Sequence, residues 1–277
     1  MDFRNILFPV DFSARCRAAV PYVKAMARLF DSSVFLLNVS ESPESLAFDT
    51  GPAPRSSRTL AEMARTDFEG LTVIPVVRHG DPAAEIARFA QTRDIGLIMM
   101  PTHGTGKLRA ALLGSVTAKV LNDSTCHVWT LTHPERNSPR APGQICSLLC
   151  AIDLGRESRN LIRAAESLGT RTGAKVRLVH AVPGEEAQPQ HALNVEFEHY
   201  LKDAARISAA RLQQETGTSF DVCLQAGRPS RVIEMAALHH EADLVIIGRG
   251  QPHGFAGQLR ADAYSIIRDC PCPVLSF

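Results

Sequence analysis

Short, continuous apolar runs alternate along this chain with stretches of helical period. In the first half the runs are ILFPV (6–10), VFLLNV (34–39), LIMMP (97–101) and CHVWTL (126–131). A run that is apolar at every position, not at every second one, predicts a strand buried on both faces of a parallel sheet. The first helical stretch predicts an N-cap at Ser13, with Ala18, Tyr22, Ala25 and Leu29 along one face. Pro21 inside it predicts a kink or a late start. Residues 41–57, rich in Ser and Pro, read as a mobile loop.

The same pattern returns in the second half. ILFPVDFS (6–13) aligns with LLCAIDLG (148–155), placing Asp11 opposite Asp153 at an offset of 142 residues. VFLLNV aligns with VRLVHA (176–181) at the same offset, HGDPAAEIARFA (79–90) with AGRPSRVIEMAA (226–237) at 147, and LIMMP with LVIIG (244–248) at 147. The ends CHVWTL and CPVLSF (272–277) align at 146. Between the copies, HPERNSPRAPGQ (133–144) has the composition of a linker. The predicted organisation is domain A over 1–132, a linker over 133–144, and domain B over 145–277. Each copy reads β-α-β-α-β-α-β-α-β, so the fold class is α/β: two tandem open parallel five-stranded sheets with helices on both faces. In copy B a long helix is predicted over 195–214, with Phe197, Leu201, Ala204, Ile207 and Leu212 as its apolar positions.

Composition narrows the function classes. At 277 residues the chain is comfortable as two domains of about 130. A net charge of +1 argues against nucleic-acid or membrane-surface binding by bulk electrostatics. No apolar run approaches the roughly 20 residues of a membrane span, and MDFRNILFPVDF lacks the layout of a signal peptide. Seven cysteines without a disulfide-scaffold density fit a reducing cytoplasm. Cys270-Pro271-Cys272 hints at metal or redox chemistry, but Cys272 more simply opens the last buried strand, as Cys126 does in copy A.

Candidate chemistry concentrates in residues 97–131. An apolar strand runs into a loop with Gly104; after nine intervening residues, Gly114 and Ser115 open a helix. A loop and a helix N-terminus side by side after a strand make an anion site, because backbone N–H groups point outward there and the helix dipole favours negative charge. This spacing resembles the G-x2-G-x9-G-[S/T] phosphate motif of the universal stress protein family in its ATP-binding branch. Gly104, Gly114 and Ser115 match; Pro101 stands at the first glycine. The resemblance covers almost the whole chain and implies an adenine nucleotide alpha hydrolase-like, Rossmann-like fold. It further implies Pro9, Val10 and Asp11 around adenine or ribose, and Val39 at the adenine edge. His103 and Gly104 would line the phosphate loop, and Gly114, Ser115, Val116 and Thr117 would wrap the phosphates of ATP through N–H groups and two hydroxyls. Lys107 and Arg109, which the family motif does not fix, lie in the same loop and could close on the γ-phosphate, with Mg or Mn as accompanying cation. Pro101 removes one N–H and fixes φ near −65°.

In copy B, Gly248 matches the first glycine, Gln251 replaces the second, and Arg260 and Ala261 take the places of Gly114 and Ser115. That site reads as degenerate. Competing motifs fail: Gly106-Lys107 is followed by Leu108, no glycine follows the first strand, and no G-x-S-x-G elbow exists. His239, His240 and His253 have no metal-ligand spacing and read as solvated. Two readings remain, a regulatory protein that holds ATP with at most slow hydrolysis, and a partner-binding stress protein without nucleotide. The resemblance also implies an intramolecular pseudo-dimer of the two copies, with a homodimer as a further assembly.

Overall fold

The computed structural model describes residues 1, 3–40, 55–102, 113–131, 140–184, 195–249 and 261–277. The chain divides between Gly143 and Gln144 into two compact units. The N-terminal unit contains β1 (Asn5–Pro9), α1 (Ala14–Phe30), β2 (Ser33–Ser40), α2 (Arg55–Asp67), β3 (Val73–His79), α3 (Pro82–Thr92), β4 (Leu97–Pro101), α4 (Ser115–Asp123) and β5 (His127–Leu131). Its strands lie in the order β3-β2-β1-β4-β5, every pair parallel. The C-terminal unit contains β6 (Ser147–Ala151), α5 (Ser158–Thr172), β7 (Lys175–Val182), α6 (Val195–Thr216), β8 (Asp221–Ala226), α7 (Pro229–His239), β9 (Leu244–Ile247), α8 (Ala261–Asp269) and β10 (Val274–Ser276). Its order, β10-β9-β6-β7-β8, repeats the first topology, again all parallel.

The continuous apolar runs are the central strands. Ile6, Leu7 and Phe8 of β1 and Leu97 and Ile98 of β4 are fully buried, as are Leu148 and Leu149 of β6 and Leu244 to Ile246 of β9. Burial on both faces removes the reason for polar alternation. The terminal strand β3 differs: Ile74 is 39% exposed and Pro75 is exposed, as suits an edge where a missing N–H costs nothing. In both units the chain reverses its direction across the sheet after β3 or β8, returning on the far side of the first strand. That switch point, between β1 and β4 and between β6 and β9, opens a crevice at the strand C-termini. Trp129 of β5, in register with Met99, is 1% exposed, and its Nε1 has no hydrogen-bond partner.

Three local expectations need correction. Pro21 neither delays α1 nor interrupts it; the helix runs from Ala14 to Phe30 with the proline ring at an exposed position, where water can serve the carbonyl it leaves unbonded. The buried face of α1 is Cys16, Ala19, Val20, Val23, Met26 and Ala27, one residue round from the expected Ala18, Tyr22, Ala25 and Leu29, which are half-buried. In α6 the core face is carried by Ala205, Ala209 and Leu212, while Phe197 and Ile207 are 47% and 72% exposed and Ala204 is exposed. Small residues share the inward faces of both helices, Ala19 and Ala27 in α1 and Ala205 and Ala209 in α6. Among the described residues no helix is long and apolar enough to cross a membrane.

Candidate functional site

The crevice of the N-terminal unit is built from the ends of β1, β2 and β4 and the start of α4. After β1 the chain turns sharply at Phe12, which holds a left-handed φ of 59°. Asp11 stabilises this turn: its Oδ1 accepts the Ser13 N–H at 3.0 Å. Ser13 in turn caps α1, its Oγ accepting the Cys16 N–H at 3.1 Å. The Val10 N–H donates to the Leu37 carbonyl at 2.8 Å, and the Val10 carbonyl accepts Asn38 Nδ2 at 2.7 Å. Asn38 is buried, so a polar side chain inside β2 clamps the turn that carries Asp11. Val39 follows it, half-buried, at the C-terminal end of the strand.

The second unit repeats the device with different side chains. Leu154 has φ 61°, Asp153 Oδ1 accepts the Gly155 N–H at 2.8 Å and the Ser158 hydroxyl at 2.9 Å, and His180 Nδ1 lies 2.8 Å from the Ile152 carbonyl. His180 stands where Asn38 stands in the first copy. The brace was not anticipated from the sequence, although the alignment of VFLLNV with VRLVHA sets the two polar residues side by side.

Pro101 ends β4. The Thr102 N–H points to β5, donating to the Leu131 carbonyl at 3.0 Å. By strand alternation position 101 faces the other way, toward β1, whose register with β4 ends at Leu7 opposite Ile98. The proline therefore breaks no ladder bond, and its missing N–H falls on the crevice side. Two hydrogen bonds then join β4 to α4. The Gly114 N–H donates to the Thr102 carbonyl at 2.9 Å, and the Thr117 hydroxyl, 2% exposed, donates to the Pro101 carbonyl at 3.1 Å. Both groups are thus committed inside the fold. This corrects the role implied for Thr117: its hydroxyl does not face outward, which leaves Ser115 as the exposed hydroxyl of the turn.

Gly114 is the N-cap of α4 and offers no side chain to the amides of the first turn. The other capped helices of this unit are different. Ser13 caps α1 with its hydroxyl, and Asp81 caps α3, accepting from the Ala84 N–H at 2.9 Å. That hydrogen bond, and then Lys119 of α4 at 3.3 Å, hold the Asp81 carboxyl below its ordinary range. A helix start without an acceptor, beside an exposed serine and at a switch point, has the chemistry of an anion site. His103, Gly104, Lys107 and Arg109 lie outside the described residues.

In the C-terminal unit the Arg249 N–H donates to the Phe277 carbonyl at 2.8 Å, as Thr102 does to Leu131. The helix start differs. Where α4 has Val116 and Thr117, α8 has Asp262, exposed in the first turn, and Ala263, buried and without a hydroxyl. Arg260 and Gln251 lie outside the described residues. A cleft of about 300 Å³ does open in this unit, bounded by Gly184, Gln225, Gly227 and Arg231, but at the ends of β7 and β8 and not at the switch point.

Three of the buried thiols, Cys16, Cys150 and Cys272, are unsuited to nucleophilic work. Burial pushes Cys16 and Cys150 up to about 12. A hydrogen bond with Cys270, whose Sγ lies 3.6 Å away, and then burial hold Cys272 well above the usual thiol range.

Sequence comparison agrees with this architecture. The sequence model of the Universal stress protein family matches twice, over residues 2–131 and 147–277, and the chain belongs to that family. A universal stress protein of Methanocaldococcus jannaschii is 30% identical over 146 residues, covering 44% of this chain and 90% of the relative. One of Synechocystis is 31% identical over 134 residues, covering 46% and 83%. Among solved structures, a universal stress protein from Archaeoglobus fulgidus superposes with a TM-score of 0.77 at 20% identity, covering 100% of this chain and 98% of that one. A putative universal stress protein from Pseudomonas aeruginosa gives 0.69 at 19% identity, covering 99% and 93%. At such identities these structures speak for the fold alone.

Proposed function

We propose that this chain is a stress-response regulator that holds one ATP in its N-terminal unit and cleaves it little or not at all. The observation that carries the reading is the glycine-capped start of α4. Its first-turn amides lack a side-chain acceptor while those of α1 and α3 have one. Pro9, Val10, Asp11 and Val39 would bound the adenosine end, and the amides of Ser115, Val116 and Thr117 with the Ser115 hydroxyl would take the phosphates. Pro101, His103, Gly104 and Lys107 complete the proposed set. Charge-assisted hydrogen bonds of this kind are worth roughly 1.5–3 kcal/mol each. Asp11, which the resemblance sets at the adenine end, already accepts from Ser13 N, so Mg or Mn would arrive on the nucleotide and not at a protein cage. The same engagement leaves that carboxylate poorly suited to orienting a water, so turnover should fall well below ~1 per second.

The C-terminal unit is proposed to be empty of nucleotide, since Asp262 puts a negative charge where an anion would sit. Calorimetric titration with Mg-ATP should give a stoichiometry near one. A value near two would restore the second site. The competing reading, a partner-binding stress protein without nucleotide, draws on Pro101 and on the altered second copy. It requires that saturating Mg-ATP leave the thermal midpoint unchanged, whereas ligand at a hundredfold excess over Kd should add about 2.7 kcal/mol. The domain limits 1–132 and 145–277, the linker, the pairing of the two copies as a pseudo-dimer and a cytoplasmic location belong to this proposal. Small-angle scattering would separate a paired from an extended arrangement.

A further inference from the structure

The outward face of α6 carries a feature that nucleotide binding does not use. Phe197, Tyr200, Ala204 and Ile207 follow one another at spacings of three and four, so they form one stripe along the helix. All are exposed, the three large ones by 47%, 66% and 72%. Arg211, also exposed, extends the stripe by one more turn. Phe197 and Tyr200 stack with ring centroids 6.2 Å apart and an interplanar angle of 17°. The stripe is separate from the core face of Ala205, Ala209 and Leu212.

The fold itself does not call for it. The helix in the same place of the first copy, α2, buries Leu60 and Met63 and presents Arg58, Thr59, Glu62 and Arg65 outward. Phe197, Tyr200 and Ile207 together expose about 400 Å², the size of patch that on a soluble monomer is often functional.

We propose that this stripe is the contact surface for a second copy of the same chain, the two α6 helices lying antiparallel about a two-fold axis near Ala204. Charge selects this occupant. Asp203 is held within the helix by Arg206 at 2.6 Å, so the charge asymmetry along the stripe lies between Glu196 at its N-terminal end and Arg211 at its C-terminal end. An antiparallel pair brings Arg211 of each copy to Glu196 and to the stacked rings of the other, giving an ion pair and a cation–π contact at both ends. Ile207 meets Tyr200 across the axis, and the small Ala204 allows close approach at the centre. A parallel pair would set like charges together. With about 800 Å² buried in all, the dimer falls in the small, transient class.

Sedimentation equilibrium of the full chain over a range up to about 1 mM tests this. A monomer–dimer equilibrium is expected, and Ile207→Glu should weaken it at least tenfold with the circular dichroism and thermal midpoint unchanged. Glu196→Arg and Arg211→Glu should each weaken it, and the two together should recover the ion-pair part of the loss, because that pair is then reversed in sign while the cation–π contact stays lost. A chain that stays monomeric at all concentrations overturns the proposal. So does a dimer indifferent to Ile207→Glu, or a monomer whose thermal midpoint falls on that change, which would mean that the stripe is covered by its own chain. None of these readings depends on whether nucleotide binds.

Discussion

The starts of α4 and α8 occupy the same place in two copies of one fold, yet their first turns differ in charge and in hydrogen-bonding groups. Both follow a strand whose next N–H is fixed to a neighbouring carbonyl, Thr102 to Leu131 and Arg249 to Phe277. Beyond that anchor, α4 begins with a glycine cap, an exposed serine and a buried threonine bonded to β4, while α8 carries an aspartate and an alanine in the corresponding first turn. The scaffold is therefore kept while the residues proposed to hold an anion change. Strand order, the aspartate turn and the brace at Val10 or Ile152 depend on packing and recur in both units. The anion chemistry rests on a few residues of one helical turn and recurs in neither sequence nor charge.

The contrast can be broken most directly by moving one residue across it. Val116→Asp, which imports Asp262 into α4, should weaken ATP binding by one to two orders of magnitude, an effect of roughly 1.5–3 kcal/mol, read by calorimetric titration. Unchanged affinity would remove the proposed phosphate position.

A smaller effect should follow from Thr117→Ala, which copies Ala263. It leaves the buried Pro101 carbonyl without its donor and should cost about 1–2 kcal/mol of stability in chemical denaturation. If stability is unaffected, the bond from Thr117 is not what fixes α4 to β4.

The next pair concerns α3 and α7. Asp81 caps α3, whereas Arg228 at the matching place of α7 makes no side-chain cap. Asp81→Ala should lower the thermal midpoint and Arg228→Asp should raise that of its own unit, by adding the missing cap. Because the Asp81 carboxyl is depressed in the fold, its contribution is present above about pH 4 and is lost as the pH falls through its lowered value.

The smallest expected effect is confined to the C-terminal unit. Burial, and then Arg177, His239 and Lys175, lower the pKa of His240 below 6.5. A folded-state value below the unfolded one means that the fold prefers neutral imidazole. That preference is complete above pH 6.5 and is lost as pH falls from there through the folded value. His240→Gln should flatten a slight decline in stability of this unit between neutral pH and pH 5. If the decline persists, another group is responsible.

The sheet was legible because apolar runs such as ILFPV and LIMMP admit no other burial, and the repeat made each copy a check on the other. Helix faces were harder to read. In α1 and α6 the inward residues include Ala19, Ala27, Ala205 and Ala209, and the pattern of larger side chains pointed elsewhere, toward Tyr22 in one case and Ile207 in the other. Around the crevice, spacing alone gave the helix start at Ser115, but not where its groups were already spent. Whether a Thr117 hydroxyl faces a ligand or a backbone carbonyl is decided by the distance between α4 and β4, which sequence does not carry. Asn38 and His180 were passed over for a related reason: a polar residue inside a buried strand declares its purpose only when the carbonyl it clamps is seen.

The chain has a single tryptophan, and it lies in β5 of the N-terminal unit. Buried to 1% with its indole N–H unpartnered, Trp129 should emit at the blue end of its range and shift red only when that unit opens. Circular dichroism, by contrast, sees the helices of both halves. The molecule thus carries an optical label on one repeat only. Overlaying the two signals in a denaturant series would distinguish one cooperative transition from two independent ones, with no dye attached and no residue replaced.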